Sequence, residues 1–413
     1  MINEQIINFM RSFEKDHADF DLTVTFEHVL VYEKDLSAVQ YSEEQGIKSL
    51  LEYLVRSGWE AVEEDGLLVG CKNGKETISL GVGGQVQWSF GPFIDMIDID
   101  QAYLGFIQLL FEELKRRGQI LLATGHQPVS LAKDIETVGT KENKALMQYA
   151  ENKDDYIDFL KCSATMRVSM QYAHIDNFEK RYQAATIIQP ALAALLDNAA
   201  WVGGKENKDV LVNMNHVRQA DETLYHVEAA LEENFKYNEF ADFLTEAPAI
   251  AQMKDGELVY VGAEKVEDVF DTMTKEDIER VLRFVQPRVN MSEYGLTLSL
   301  VDSVPYPLNM AYVTMVKTLL YNPDHITALQ KMIEEMKEEN IVTAHHEMLQ
   351  KGLKAPMGNG TAFDLVKDLF FMLPLTLSPS EEHYIQSFNS LLFKDITTKE
   401  VTAHQFANIV SNA

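Results

Sequence analysis

Antiparallel strand pairing is indicated by the segment Leu80-Gly81-Val82-Gly83-Gly84-Gln85-Val86-Gln87-Trp88-Ser89. It joins two β-compatible runs through a pair of glycines. Gly83 and Gly84 permit a tight connection, since glycine adopts backbone conformations that other residues avoid. Upstream, Asp65-Gly66 and Asn73-Gly74 are dipeptides typical of hairpin turns. This part of the chain is therefore predicted to form antiparallel strands.

Three further segments have clear periodicity. Residues 22–32 are rich in β-branched and aromatic residues, which predicts a strand. Residues 98–117 carry one apolar helical face, and Gly118 is the expected residue after the helix. Residues 165–172 alternate strictly between polar and apolar side chains, so one face of this strand is predicted to line a cavity. Its polar residues are Arg167, Ser169 and Gln171.

From about residue 303 onward the pattern is almost entirely helical. The fold class is therefore α+β, with a mixed core over residues 1–300 and a helical part over residues 301–413. No linker rich in Gly, Ser or Pro separates them, which favours one continuous domain.

Net charge and cysteine content indicate which classes of partner and which cellular compartment to expect. A formal net charge of -28 argues against DNA, RNA and anionic membranes, which bind clustered Lys and Arg. Two cysteines, Cys71 and Cys162, in 413 residues favour a reducing compartment. The amino terminus has no apolar signal core, and no segment reaches the length of a membrane span, so a cytoplasmic location is predicted.

The opening stretch resembles the S-L-E-P-G-G-Q-F-E-L-S strand pair of the plant and proteobacterial type of glutamate-cysteine ligases. Phe26-Glu27-His28 is similar to the family's T-E-H-E-K-F, and Gly125-His126-Gln127-Pro128 to its G-F-Q-P turn. Lys351-Gly352-Leu353-Lys354-Ala355-Pro356 is similar to T-G-L-K-T-P. These segments follow the family's order across roughly residues 20 to 400.

The resemblance implies a glutamine-synthetase-like architecture, in which a curved antiparallel sheet forms a funnel backed by helices. It also implies condensation of the γ-carboxylate of glutamate with the amine of cysteine, driven by ATP through a γ-glutamyl phosphate. Magnesium would neutralise the phosphates, and carboxylates would hold the magnesium. In this chain, Glu27 is the one family carboxylate retained among the implied metal ligands. Val29, Gly81, Gln87 and Leu296 occupy the other ligand positions.

These replacements favour a weakly active or non-catalytic paralogue, a pseudoenzyme that binds a small molecule or regulates another protein. Val, Gly and Leu offer no side-chain oxygen to magnesium, and Gln offers one neutral oxygen. The alternative is an active ATP-dependent carboxylate-amine ligase of glutathione-type thiol biosynthesis. ATP and magnesium are expected cofactors if the chain is active, and none otherwise.

Arg167 suggests how the funnel would bind a ligand. It stands where the family has an uncharged glutamine, and its guanidinium would bind a carboxylate or a phosphate directly. Alternatively, Arg167 points to solvent or pairs with a nearby Glu. The predicted pocket or ligand-binding residues are Glu27, Gln85, Gln87, His126, Arg167, Ser169 and Gln171.

The remaining histidines give weaker signals. His126 follows a strand, where sites are often built, although a hydrogen-bonded turn residue explains it equally simply. His345-His346-Glu347 lacks the H-E-x-x-H spacing of zinc sites. The expected partner is a small molecule, such as glutamate or another carboxylate; a protein partner or homo-oligomer stays open.

Overall fold

The computed structural model describes residues 2–16, 20–232, 235–285, 287–336 and 338–403. The strands are β1 (Leu22–Tyr32), β2 (Glu60–Glu64), β3 (Leu67–Asn73), β4 (Glu76–Leu80), β5 (Val86–Phe93), β6 (Gln119–Leu122), β7 (Thr165–Met170), β8 (Trp201–Val202), β9 (Lys205–Glu206), β10 (Pro248–Lys254), β11 (Glu257–Lys265), β12 (Val289–Ser292), β13 (Gly295–Asp302), β14 (Pro356–Met357) and β15 (Gly360–Thr361).

The helices alternate with these strands in the first part of the chain and dominate the last part. They are α1 (Ile2–Arg11), α2 (Ile47–Arg56), α3 (Met96–Arg117), α4 (Lys141–Tyr149), α5 (Asp154–Cys162), α6 (Ile175–Leu195), α7 (Val212–Ala220), α8 (Tyr237–Glu246), α9 (Val266–Val269), α10 (Lys275–Phe284), α11 (Leu308–Tyr321), α12 (Pro323–Met336), α13 (Glu338–Lys351), α14 (Ala362–Met372), α15 (Glu382–Ile385) and α16 (Asn389–Leu392).

One open nine-stranded sheet organises the molecule. Its strand order is β12-β13-β7-β1-β5-β4-β3-β2, and β6 pairs with the far end of β1. All of these pairs are antiparallel. The predicted α+β class with antiparallel pairing is confirmed.

The hairpins form where the turn dipeptides predict them. Asp65-Gly66 joins β2 to β3, and Gly74 turns between β3 and β4 with a left-handed φ of 61°. The glycine pair joins β4 to β5. A Cβ at Gly83 would collide with the backbone of Lys161, and Gly84 has a φ of 85°. Only glycine tolerates both conditions, so this turn is held close to the end of α5.

One face of the sheet is packed against α3. Phe26 of β1 and Trp88 of β5 stack on each other, and both contact Tyr103 of α3. His28 shares this face and is hydrogen-bonded to the Tyr103 hydroxyl at 2.9 Å. The helix ends at Gly118 with a φ of 64°, as the sequence predicts. Alternation along β1 therefore turns Thr25 and Glu27 toward the opposite face.

The buried helix α6 connects the sheet to the carboxyl-terminal helices. It contacts β13 on one side and α11, α12, α13 and α14 on the other. After β13, the described elements are helices and turns apart from the short β14-β15 hairpin. Within the described ranges, no helix is both long and apolar enough to cross a membrane. The boundary near residue 300 stays a prediction.

Candidate functional site

A cavity of about 430 Å³ lies over the polar face of the sheet. Its floor comes from alternate residues of adjacent strands, because side chains two apart share a face. The floor residues are Thr25, Glu27, Ser79, Gln87, Ser89, Arg167, Ser169, Thr297 and Ser299. Residues of α4, α5 and the end of α10 form the surrounding wall. The volume is in the range of pockets that bind small molecules.

Glu27 is the charged centre of this floor, and both of its carboxylate oxygens are occupied. Oε1 accepts hydrogen bonds from Arg167 Nη2 at 3.0 Å and from Gln87 Nε2 at 3.0 Å. Oε2 accepts from the backbone N–H of Thr165 at 2.9 Å. The side chain of Glu27 is 9% exposed and that of Arg167 is 34% exposed. This geometry is the carboxylate pairing that the sequence left open for Arg167.

Gln87 stands at a position where the family resemblance places a glutamate. It lies directly opposite Glu27 in the β1-β5 register. Its Nε2 donates to Glu27 while its Oε1 accepts a hydrogen bond from Ser79 Oγ at 3.1 Å. Because a carboxylate only accepts hydrogen bonds, the amide nitrogen must face Glu27. A glutamate at this position would instead place a second negative charge beside the first.

Gly81 lines the cavity at another position of a replaced glutamate. The space above it is filled by the side chain of Gln85, whose amide a Cβ at Gly81 would overlap. Gln85 accepts from Gly83 N at 3.0 Å and donates to the carbonyls of Leu160 and Ser163 at 3.1 and 3.0 Å. Gln85 therefore lines the cavity, but its amide holds the turn in place.

The two other replaced positions do not face the cavity. Val29 is buried in an apolar cluster with Val31, Leu122 and Ala164. Leu296 is fully buried in the main core, while its neighbour Thr297 faces the cavity. As they stand, neither Val29 nor Leu296 contributes a side chain to this cavity. Adjacent residues of a strand point to opposite faces, so Thr297 reaches the cavity and Leu296 does not.

Two of the predicted site residues lie outside the cavity lining. Gln171 follows the last residue of β7, so the alternation that places Arg167 and Ser169 no longer applies to it. Its Oε1 accepts a hydrogen bond from Asp21 N at 3.4 Å. His126 is buried on another side of α5, where its Nε2 lies 2.8 Å from Asp158 Oδ2. The structure therefore places neither Gln171 nor His126 beside Glu27 in the cavity lining.

Hydroxyl groups fill much of the remaining floor. Thr25 and Ser89 are hydrogen-bonded across β1 and β5 at 2.8 Å. Thr297 is 2.8 Å from both Ser169 Oγ and Ser292 Oγ. These groups can donate or accept hydrogen bonds without carrying charge. Such a surface suits a polar ligand better than a bare divalent cation.

Sequence reasoning missed the charged residues around the rim. Glu64, Glu142, Glu293 and Arg283 come from a hairpin, a helix start, a turn and a helix end, and all line the cavity. Glu142 is paired with Arg283 at 2.9 Å. Burial and the charge of Glu142 raise the pKa of Glu64. No local pattern identifies these residues, because only tertiary packing brings them together.

The carboxylates of this cavity do not converge as a magnesium site requires. Across the part of the chain that the structure describes, the one group of three His, Cys, Asp or Glu side chains within 4.8 Å of one another is His126, Asp158 and His216. None of these residues lines the cavity. Among the described residues, Glu27 therefore belongs to no such group of three, and it is already paired with Arg167.

Comparisons with known proteins identify distant relatives. No protein-family model matches the chain. It is 21% identical over 328 residues to the chloroplastic glutamate–cysteine ligase of Nicotiana tabacum, covering 76% of this chain and 62% of the relative. It is 20% identical over 328 residues to the chloroplastic glutamate–cysteine ligase B of Oryza sativa subsp. japonica, covering 76% and 65%.

The homology to plant glutamate–cysteine ligases is thus confirmed, although the chain spans about 62% of the length of the first of these relatives. Among solved structures, a bifunctional glutathione synthetase from Pasteurella multocida aligns with a TM-score of 0.48 and 10% identity. That alignment covers 98% of this chain and 50% of the synthetase. A score of this size does not establish a common fold.

Proposed function

We propose that this chain is a non-catalytic or weakly active homologue of glutamate–cysteine ligases that binds a small polar carboxylate, such as glutamate, in the cavity over the sheet. The observation that carries the proposal is the ion pair between Glu27 and Arg167 at 3.0 Å. Gln87 Nε2 and the backbone N–H of Thr165 also donate hydrogen bonds to the Glu27 carboxylate. The funnel architecture implied by the family resemblance belongs to the same proposal.

Electrostatics argues against magnesium at this position. Magnesium binds carboxylate oxygens at about 2.1 Å, so an ion on Glu27 would approach the Arg167 guanidinium closely. At about 4 Å and an effective dielectric constant of about 20, the repulsion between a divalent and a monovalent cation is about 8 kcal/mol. Arg167 would have to move away, which would leave its charge without its carboxylate partner.

The same geometry favours an anionic ligand with additional polar groups. Arg167 uses one terminal nitrogen for Glu27, and the guanidinium has further N–H donors. Among the described residues, Glu27 is the one hydrogen-bond partner of the Arg167 side chain. A ligand carboxylate would accept from its free edge, while the hydroxyls of Ser169 and Thr297 would bind hydroxyl or amine groups.

A second candidate is an active ATP-dependent ligase, with magnesium, that forms γ-glutamylcysteine or a related compound. The presence of Glu64, Glu142 and Glu293 around the same cavity favours it. These side chains would need to turn toward the floor, and Glu142 would need to leave Arg283. The residues do not fit a magnesium site as they stand. In either case a cytoplasmic location stays a prediction.

The two candidate functions predict different rates of phosphate release from ATP. The purified chain would be incubated with ATP, magnesium or manganese, glutamate and a panel of amines that includes cysteine, and phosphate release would be followed. The proposal predicts release no greater than that of Glu27→Gln. Turnover that Glu27→Gln abolishes would establish the ligase instead.

Binding tests the ligand class separately. Calorimetric titration with glutamate, ATP and inorganic phosphate in EDTA would compare the native chain with Arg167→Ala. Arg116→Ala is the matched control, because Arg116 is exposed and is paired with Glu113 on the surface. We expect glutamate affinity to fall at least about tenfold in Arg167→Ala and to stay unchanged in Arg116→Ala, since a charge-assisted hydrogen bond is lost. Equal binding, or no binding, by both would refute the ligand assignment.

A further inference from the structure

His126, Asp158 and His216 form a compact polar cluster outside the cavity. His126 Nε2 lies 2.8 Å from Asp158 Oδ2, and His216 Nδ1 lies 3.5 Å from the same oxygen. His126 follows β6, Asp158 is in α5 and His216 is in α7. Three separate elements therefore contribute one ligand atom each, all within 4.8 Å of one another.

The orientation of the His126 ring suits a metal ligand. Its Nδ1 is 2.9 Å from the backbone carbonyl oxygen of Gln127, which can only accept a hydrogen bond. Nδ1 therefore carries a proton. Nε2 can hydrogen-bond to the Asp158 carboxylate at 2.8 Å only by donating a proton, and a bound ion would take the place of that proton. A histidine whose other nitrogen donates to a backbone carbonyl is the usual arrangement at metal sites.

His216 supplies a second, independent observation. Its Nδ1 is buried and has no hydrogen-bond partner, although it lies close to Asp158. A buried polar atom without a partner is unfavourable, and an ion or water between the side chains would satisfy it.

Two of the three side chains are partly exposed. The side chains of Asp158 and His216 are 24% and 18% exposed, so solvent reaches the cluster.

The surrounding backbone holds the histidine loop in place. Gln127 N donates to Cys162 O at 2.8 Å, and Ala164 N donates to Gly125 O at 2.8 Å. Asn213 of α7 also donates to Gly125 O, at 2.7 Å. The loop that carries His126 is thus bonded to both helices that carry the other two residues, as preorganised ligand sets require.

We propose that His126, Asp158 and His216 bind a divalent transition-metal ion, with zinc as the favoured ion. Two imidazoles and one carboxylate form a donor set that zinc uses, with a fourth position left for water or a ligand. Ligands about 2.1 Å from a tetrahedral ion are about 3.4 Å apart, which is close to the 3.5 Å between His216 Nδ1 and Asp158 Oδ2. His126 Nε2 and Asp158 Oδ2, which are 2.8 Å apart, would separate by about 0.6 Å on binding. The family turn G-F-Q-P has phenylalanine where this chain has His126, so the site does not come from the resemblance.

Zinc titration of the full chain, after dialysis against EDTA, tests the proposal. A chromophoric chelator would compete for zinc, and elemental analysis would give the stoichiometry. We expect one zinc per chain, with at least a tenfold loss of affinity in His216→Ala and in Asp158→Asn. The control is His346→Ala, because His346 is half exposed on α13 and lies outside the cluster. Its affinity should match that of the native chain.

A second measurement guards against misfolded variants. Zinc should raise the unfolding temperature of the native chain and of His346→Ala, since binding to the folded state stabilises it. It should not raise that of His216→Ala, whose circular dichroism should remain native. If the native chain binds less than one zinc, if His216→Ala binds as tightly as the native chain, or if the control weakens equally, the cluster is a hydrogen-bonded structural contact and the proposal is wrong.

Discussion

Glu27 and Asp158 are both largely buried carboxylates beside nitrogen-containing side chains, but their surroundings have opposite consequences. Glu27 faces Arg167, whose positive charge is permanent, and an amide and a backbone N–H that only donate to it. Asp158 faces two imidazoles, which can be neutral and can offer lone pairs. A carboxylate is available to a metal when its neighbours are ligands rather than fixed cations.

The largest expected effect concerns the ion pair in the cavity. Glu27→Ala would leave Arg167 without its carboxylate and Thr165 N–H without its acceptor. We expect the free energy of unfolding to fall by about 2 to 4 kcal/mol, less than for a fully buried pair because Arg167 is partly exposed. Urea unfolding measures this loss.

An exposed pair provides the control for that measurement. Glu347 and Lys351 are paired at 2.8 Å on the surface of α13. Glu347→Ala should cost less than about 1 kcal/mol, as exposed pairs usually do. A loss for Glu27→Ala as small as that for Glu347→Ala would mean that Glu27 is not held as described, and the contrast with Asp158 would lose its basis.

The pH dependence of stability tests the burial of His28, which lies on the face of β1 opposite to Glu27. Burial lowers the pKa of His28 from 6.5 to about 4. Between these values the unfolded chain binds a proton that the folded chain does not, so the stabilisation is present at neutral pH and is lost as pH falls below about 6.5. From pH 7 to pH 5, His28 should account for about 2 kcal/mol of lost stability.

The difference between native chain and His28→Gln isolates this contribution from the other histidines. Denaturant unfolding at several pH values would show a shallower pH dependence for the variant. If the two pH profiles are parallel, acid acts elsewhere, including on the His126–Asp158–His216 cluster.

Gly81→Glu would place a carboxylate where the family resemblance implies one. The new side chain would displace Gln85 from the carbonyls of Leu160 and Ser163. We expect a destabilisation of about 1 to 3 kcal/mol, as for other overpacked sites. We expect no gain in magnesium affinity while Arg167 remains. Calorimetry with magnesium measures the second point, and a magnesium site created by Gly81→Glu alone would contradict the role assigned to Arg167.

The smallest effect is expected at the uncharged floor. Thr297→Val keeps the shape but removes the hydroxyl that contacts Ser169 and Ser292. The two serines remain able to bond to each other or to water, so the loss of stability should be about 1 kcal/mol or less. A loss of stability comparable to that of Glu27→Ala would mean that the hydroxyl groups stabilise the floor of the cavity as much as the ion pair does.

Local sequence patterns predict the fold where one physical requirement dominates. The β-branched run predicts β1 with the observed bounds Leu22–Tyr32, and Gly118 marks the end of α3 because its backbone is left-handed. Alternation along β7 correctly predicts that Arg167 and Ser169 share a face. It fails at Gln171, which lies beyond the strand. The resemblance assigns a ligand position to Leu296, which lies on the face away from the cavity.

The charges around Glu27 were not predictable from local patterns. Glu142 and Glu293 reach the cavity because α4 and the β12-β13 turn pack over the sheet. Asp158 and His216 meet because α5 packs against α7. The sequence did offer Arg167 as a partner for a nearby Glu, but the choice between pairing and ligand binding depends on a distance that no spacing rule supplies. The roles of Glu27, Gln85, Gln87, Arg167 and Ser169 in ligand binding stay predictions.

The most direct test of the central claim is manganese binding in the presence of ATP, followed by electron paramagnetic resonance in the native chain and in Glu27→Gln. Manganese replaces magnesium at oxygen sites and has a signal that changes on binding. We expect the same amount of bound manganese in both proteins, because Arg167 keeps Glu27 from the ion. Bound manganese that is present in the native chain and absent in Glu27→Gln would contradict this expectation and favour the active ligase.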